Sequence, residues 1–297
     1  MRGETMGRKG DAMEPKHDDV SERIRSTWDE MAAGWETRRE DLWELSRPVS
    51  EWLVERIDPR PGQTILDVAA GVGDTGLLAA RRLAGTGRVL ITDFAPRMLA
   101  AARRRAAELG VTNAEFHELD AQRMALEPAS VDGVLCRWGF MLMPDPAAAF
   151  GETHRVLRPG GRLAFSVFGA PERNPWASIV GRILVADGHM PPPAPGAPGI
   201  FALSDPARIR ELMSGAGFAS PEMAEIPLTW RFPSPDAYWW FLTEMAGAIS
   251  PILRALAPGA QARVRARAAE MAQPFRSGEA YALPALCLCV STRRPPA

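Results

Sequence analysis

The chain is poor in cysteine: Cys136, Cys287 and Cys289 are its only three. They are too few and too scattered for a disulfide framework or a zinc site, so a reduced, cytoplasmic protein without a metal centre is expected. No apolar run approaches the ~20 residues that a bilayer-spanning helix needs. The stretch from Met1 to Val20 is polar and charged and lacks an apolar centre, so it reads as a disordered tail and not as a secretory signal. Neither sign of charge dominates, with 35 Lys and Arg against 36 Asp and Glu. Nucleic acid and anionic membrane are therefore not the expected partners.

What is present is a long, strongly patterned chain. Its 297 residues suffice for one large α/β domain with an added cap, or for two small domains. The most informative stretch is Ile65-Leu66-Asp67-Val68-Ala69-Ala70-Gly71-Val72-Gly73-Asp74-Thr75-Gly76. It reads as a short apolar strand, a glycine turn, and the start of a helix at Leu77-Leu78-Ala79. Gly71, Gly73 and Gly76 spell G-x-G-x-x-G, and Asp93 closes a second apolar strand downstream. Glycines let the backbone turn tightly and approach a ligand, and a carboxylate at the next strand end can hold ribose hydroxyls. An adenosine-containing cofactor is expected.

Asp67 bears on which one. A carboxylate inside a buried strand is costly without a partner, and a pyrophosphate has no use for a further negative charge. A cofactor with an amino group and a sulfonium does. Asp67 either holds that ammonium end or ties down the loop backbone. The Tyr-x-x-x-Lys pair common in nicotinamide reductases is missing, since Leu242 and Ala285 follow Tyr238 and Tyr281 at that spacing.

Around the motif, apolar spacing predicts helices over Ser21–Thr37 and through Leu42, Leu45, Val49, Leu53 and Ile57, the second stopping at Asp58-Pro59. Strands are expected at 64–68, 88–92, 114–118, 131–136 and 162–167. The helices between them begin at Pro96 and at Asp145-Pro146, and Pro159-Gly160-Gly161 reads as a turn. Residues 169–201 read as an irregular cover loop, rich in proline from Pro191. A helix after Asp205, a strand at 223–232, helices over 235–273 and a strand at 284–292 complete the chain. The expected fold is a Rossmann-like, doubly wound α/β sheet of seven strands, mostly parallel with an antiparallel last strand, plus a helical lid. The divisions are a tail (1–20), an N-terminal helical cap (21–58), a cofactor-binding core (59–168), and a cover loop with edge strands and substrate lid (169–297). Ligands on such sheets bind outside the carboxyl ends of the strands, where Gly71, Asp93, Asp120 and Arg137 fall.

Together these segments resemble the class I S-adenosylmethionine-dependent methyltransferases, in particular the ubiquinone/menaquinone-biosynthesis-like branch, over about residues 60–168. Ile65 to Asp74 looks like that family's first motif, with Ala69 where many members have glycine. Alanine is tolerable there if its φ stays negative. Thr92-Asp93-Phe94-Ala95-Pro96-Arg97-Met98-Leu99 resembles the acidic loop that grips the ribose, and Leu119-Asp120-Ala121 resembles the segment at the adenine edge. Arg155-Val156-Leu157-Arg158-Pro159-Gly160-Gly161-Arg162 resembles the turn before the fifth strand. The resemblance implies S-adenosyl-L-methionine as cofactor and S-adenosyl-L-homocysteine as product. It implies Asp67, Ala69, Gly71, Gly73, Asp93, Phe94, Met98, Asp120, Ala121 and Arg137 as cofactor-binding residues, with no metal required.

Beside the expected methyl group, Arg137 is a candidate for binding the cofactor carboxylate or an anionic acceptor, against a plain ion pair. Of the histidines, His189 in the cover loop is a candidate base. His117 reads as packed within its strand, His154 as a surface residue, and His17 lies in the tail. Trp176, Phe201, Trp230, Phe232, Tyr238, Trp239, Trp240 and Phe241 either line an acceptor pocket or form ordinary core. Trp28 and Trp35 either close over the cofactor or pack. The expected acceptor is a small apolar or aromatic molecule, quinone-like or a natural product. Monomer and homodimer both stay open, and the rival readings are a catalytically silent protein of the same fold and a nicotinamide-dependent reductase.

Overall fold

The computed structural model describes residues 17–83 and 85–297; the expected tail (1–20) lies outside the described residues up to residue 16, and its last four residues, 17–20, belong to the first helix instead. Two helices come first, α1 (His17–Thr37) and α2 (Arg39–Ile57). The apolar stripe of α2 is buried at Leu42, Val49, Leu53 and Ile57, and the helix ends at a left-handed Asp58 just before Pro59.

Strands and helices then alternate through β1 (Thr64–Asp67), α3 (Asp74–Arg82), β2 (Arg88–Asp93), α4 (Pro96–Glu108), β3 (Ala114–Glu118), β4 (Val131–Arg137), α5 (Pro146–Val156) and β5 (Leu157–Phe168). The rest of the chain gives α6 (Pro175–Ala186), α7 (Pro206–Gly215), β6 (Glu222–Phe232), α8 (Pro235–Glu244), α9 (Ile249–Ala255), α10 (Pro258–Ala272), β7 (Arg276–Ser277) and β8 (Ala280–Arg293). Their order across the sheet is β3-β2-β1-β4-β5-β8-β6, with the two-residue β7 folded back on β8. β1 to β5 pair in parallel, and β8 runs antiparallel to both β5 and β6. The seven-stranded, mostly parallel sheet with an antiparallel last strand is thus present, with β7 as a small addition. Because β8 pairs along β5, the last third of the chain completes the same sheet.

Several local expectations are corrected. The α3 helix begins at Asp74, three residues before Leu77, because Gly73 at its N-cap takes a left-handed φ of 88° and feeds the chain straight into the helix. The β5 strand starts at Leu157: the Pro159-Gly160-Gly161 turn interrupts its register, which jumps from Val131↔Leu157 to Gly133↔Arg162. Residues 169–201 are not wholly irregular, since α6 lies within them. Pro175 supplies its first turn, where a missing N–H costs nothing, and Trp176, Ile179, Val180, Ile183 and Leu184 form its buried stripe. His117 is half exposed, not packed, because β3 is an edge strand; its ring lies 3.5 Å from Glu115. His154 is half-buried, set edge-on against the ring of Phe218, not a free surface residue.

Candidate active site

The loop leaving β1 is shaped by close approaches. Gly71 has a φ of 57°, and a Cβ there would meet no atom within 4 Å, so its backbone faces open space. Gly73 and Gly76 serve a different end. A Cβ at Gly73 would lie 2.9 Å from that of Ala102, and one at Gly76 would lie 2.7 Å from Asp67 Oδ2. These two glycines let the start of α3 sit on α4 and on the Asp67 carboxylate. Ala69 departs from expectation: its φ is 51°, not negative. Left-handed backbone costs a residue with a Cβ roughly 1–2 kcal/mol, so this loop carries strain.

Asp93 ties that loop to the next strand. Its Oδ2 accepts the Gly71 N–H at 2.8 Å and its Oδ1 accepts the Ala95 N–H at 2.9 Å. Burial pushes its carboxyl up to about 6, and these amides hold it down from going further. Asp120 is fixed in the same manner, accepting from the Gln122 amide at 2.9 Å.

Beneath the loop lies a buried charge cluster. Asp67 is 1% exposed, and burial pushes it up to about 7. Neither of its oxygens has a hydrogen-bonding partner among the described residues, although the Gly76 amide lies close enough to favour the charged form. Arg137, at the end of β4, has its Nη2 3.7 Å from Asp74 Oδ2, and its Nη1 donates to the hydroxyl of the fully buried Ser46. Burial lowers the Arg137 pKa, while Asp74 and Asp67 hold the guanidinium charged. Burial also raises Asp74, against the pull of Arg137 and Arg105. Residue Ser50 of α2 bonds Thr75 at 3.0 Å, so α2 grips both the start of α3 and Arg137.

Over this floor opens one large cavity, about 1360 Å³ of empty space counted with its mouth. Its first half lies at the strand ends. Ala69, Gly71, Asp93 and Phe94 line it from β1 and β2; Met98, Asp120, Ala121 and Arg137 complete it. Residues Trp28 and Trp35 of α1 also reach the wall, their rings edge to face at 5.7 Å. The second half is apolar. It is walled by Met141, Phe168, Trp176, Val180, Trp230 and Phe241. Their rings form a nearly continuous surface: Phe168 lies 5.0 Å from Trp176, Trp176 4.6 Å from Trp230, and Trp230 4.7 Å from Phe241.

Three anticipated residues do not reach the cavity wall. Asp67 is sealed beneath the loop, Gly73 is consumed in helix contacts, and His189 lies just past the end of α6, where its amide donates to the Leu184 carbonyl at 2.8 Å. The start of α6 lines the cavity and its end lies roughly 13 Å further along the axis, which takes His189 away from the reacting centre. The cover loop does reach the site, but through Ile200, anchored by the Gly199 amide on the Met141 carbonyl at 2.9 Å. Among the aromatic candidates, Trp176, Trp230 and Phe241 line the cavity, whereas Tyr238 packs outside it with its hydroxyl on the Trp176 carbonyl.

Sequence reasoning passed over Asp74 and Ser46, which hold Arg137, and Gln122, which presents Asp120. Asp74 was visible as a second acid within the glycine motif; Ser46 had no signal beyond lying on a buried helix face.

The residues present fit S-adenosylmethionine. Gly71 leaves open backbone, Asp93 and Asp120 stand at the wall as fixed acceptors, and the two buried carboxylates beneath suit a cation above.

Comparison with known proteins agrees. Residues 65–161 match the family model described as a methyltransferase domain. A demethylmenaquinone methyltransferase of Thermus thermophilus is 39% identical over 115 residues, 39% of this chain and 51% of that protein. The chain thus spans about half the length of that relative. Nocamycin O-methyltransferase of Saccharothrix syringae is 31% identical over 203 residues, 65% of this chain and 72% of that one. In fold, the chain resembles Haemonchus contortus phosphoethanolamine N-methyltransferase 2 in complex with S-adenosyl-L-methionine, with a TM-score of 0.53 at 19% identity, over 84% of this chain and 52% of that one.

Proposed function

This chain belongs to the S-adenosylmethionine-dependent methyltransferases of the ubiquinone/menaquinone-biosynthesis-like branch, and on that premise we propose that it transfers a methyl group to a small, flat, apolar acceptor. The observation that carries this reading is the two-part cavity: polar strand ends open directly into an aromatic chamber.

When bound, S-adenosylmethionine supplies a methyl carbon activated by positive sulfur. The chain's own work is positional. Asp93, with both oxygens already set by the Gly71 and Ala95 amides, stands ready to accept from ribose hydroxyls. Asp120, aimed by the Gln122 amide, would accept from the adenine edge, with Phe94 and Ala121 in the same wall. The Arg137 guanidinium, clamped by Asp74 and Ser46, would meet the carboxylate end. The aromatic wall holds the acceptor and displaces water. Orientation of this kind is worth up to roughly 7–11 kcal/mol in favourable systems, so a dedicated base is optional.

The test is transfer of labelled methyl from S-adenosylmethionine to a panel of quinols and polycyclic phenols. Label on a flat acceptor is expected. Binding of S-adenosylhomocysteine with no transfer to any acceptor would favour a silent protein of this fold, and stabilisation by a nicotinamide cofactor alone would overturn the cofactor assignment.

A further inference from the structure

Trp138 follows Arg137 directly at the end of β4, between the two halves of the cavity. Its φ is 62°, left-handed backbone that a bulky side chain rarely takes. The neighbouring chain explains why the backbone is held there. Gly139 is pressed so closely on the β1 loop that a Cβ would lie 2.6 Å from Cys136 Sγ and 2.7 Å from the Ala69 Cβ. Ala69 is itself left-handed. The loops leaving β1 and β4 therefore meet at a glycine with a strained residue on each side of the contact.

The indole at this strained position is locked on several sides. Its N–H donates to Cys287 Sγ of β8 at 3.2 Å, its ring stacks on Phe168 at 4.9 Å and 24°, and the Arg137 guanidinium lies 5.1 Å from its centroid. It lines the cavity and is almost fully buried. Through Phe168 the ring continues into the Trp176–Trp230 wall. A side chain kept in costly backbone and fastened by β4, β5 and β8 at once is a fixed surface, and strain of this kind gathers at ligand sites. We infer that Trp138 is a specificity-determining positioning residue: it is the partition that sets how a flat, multi-ring acceptor lies relative to the cofactor, with Cys287 as its latch.

This rests on the flat-acceptor reading, and its test separates the two. The probes are 2-naphthol and phenol, titrated calorimetrically into protein saturated with S-adenosylhomocysteine. Wild type is expected to bind the two-ring probe more tightly than the one-ring probe. Trp138→Ala should weaken 2-naphthol about tenfold and reduce its advantage over phenol, with S-adenosylhomocysteine affinity within about threefold of wild type. Trp138→Phe, which keeps a ring without the N–H, should restore most of the 2-naphthol affinity. Cys287→Ala should give a smaller loss, and Cys287→Ser a smaller one again. Failure of wild type to bind either probe would overturn the flat-acceptor reading and this inference with it. Wild-type discrimination that survives in Trp138→Ala would overturn the inference alone, as would parallel loss of cofactor and probe affinity in Trp138→Phe.

Discussion

At the strand ends the cavity is walled by backbone and charge; in the C-terminal cap it is walled by rings. The first wall comes from short local segments, the β1–α3 loop and the residues that end or follow β2, β3 and β4, and its acids Asp93 and Asp120 are each set by neighbouring amides. The second is assembled from Met141 after β4, the end of β5, and α6, β6 and α8, spread over residues 141–244. A fixed cofactor calls for exact polar geometry that a few adjacent residues can supply. An acceptor chamber calls for shape, which many distant residues must build together. The two halves should therefore fail in different ways when perturbed.

The largest effect is expected on the charged side. Arg137→Ala leaves Asp67 buried without its cation and Asp74 with only Arg105 as ion-pair partner, and breaking a buried pair in this way costs about 3–5 kcal/mol. Urea unfolding should show that loss, and it should shrink as the pH is lowered and the carboxyls take up protons. An unchanged unfolding midpoint would mean that the cluster is not coupled through Arg137.

Asp67 sets the pH dependence of this half. Its folded pKa lies at about 7, above the ordinary carboxylate value, mainly because it is buried. The folded state therefore binds this proton more tightly than the unfolded one. Its contribution to stability is complete below about pH 4 and is lost as the pH rises through about 7, on the order of 4 kcal/mol over the window. Asp67→Asn should remove that decline from the stability–pH curve. Curves that stay parallel for the two proteins would show that Asp67 carries no such shift.

A smaller gain should follow relief of strain in the loop. Ala69→Gly releases a φ of 51° and should stabilise by about 1 kcal/mol, read as a rise in Tm of roughly 2 °C. A fall would show that the methyl group's contacts outweigh the backbone cost. Least of all is expected from His189→Ala. Lying just past the end of α6 and outside the wall, His189 should leave turnover unchanged, and a large loss of kcat would restore it as a base.

The same contrast explains what could be read without coordinates. The glycine motif, the alternation of strands and helices and the acids at strand ends are local patterns, and they pointed to the strand-end half of the cavity. Ala69 shows the limit even there: its φ is positive where a negative one was expected, and it sits against Gly139 of a loop distant in sequence. The aromatic half was visible only as a surplus of rings, since nothing local distinguishes the cavity-lining Trp230 from Tyr238, which packs behind it. The α6 helix had a legible stripe from Trp176 to Leu184, obscured by the proline-rich run after it. His117 was misread because edge position in a sheet is a property of strand order, which no single segment encodes.

The division of the cavity is tested most directly by calorimetric titration of S-adenosylhomocysteine into wild type, Asp93→Ala and Trp176→Phe. The account predicts that Asp93→Ala loses binding by about two orders of magnitude, because an acceptor is removed and two amides are left unpaired, while Trp176→Phe binds as wild type does. Equal loss in both variants, or full binding by Asp93→Ala, would contradict it.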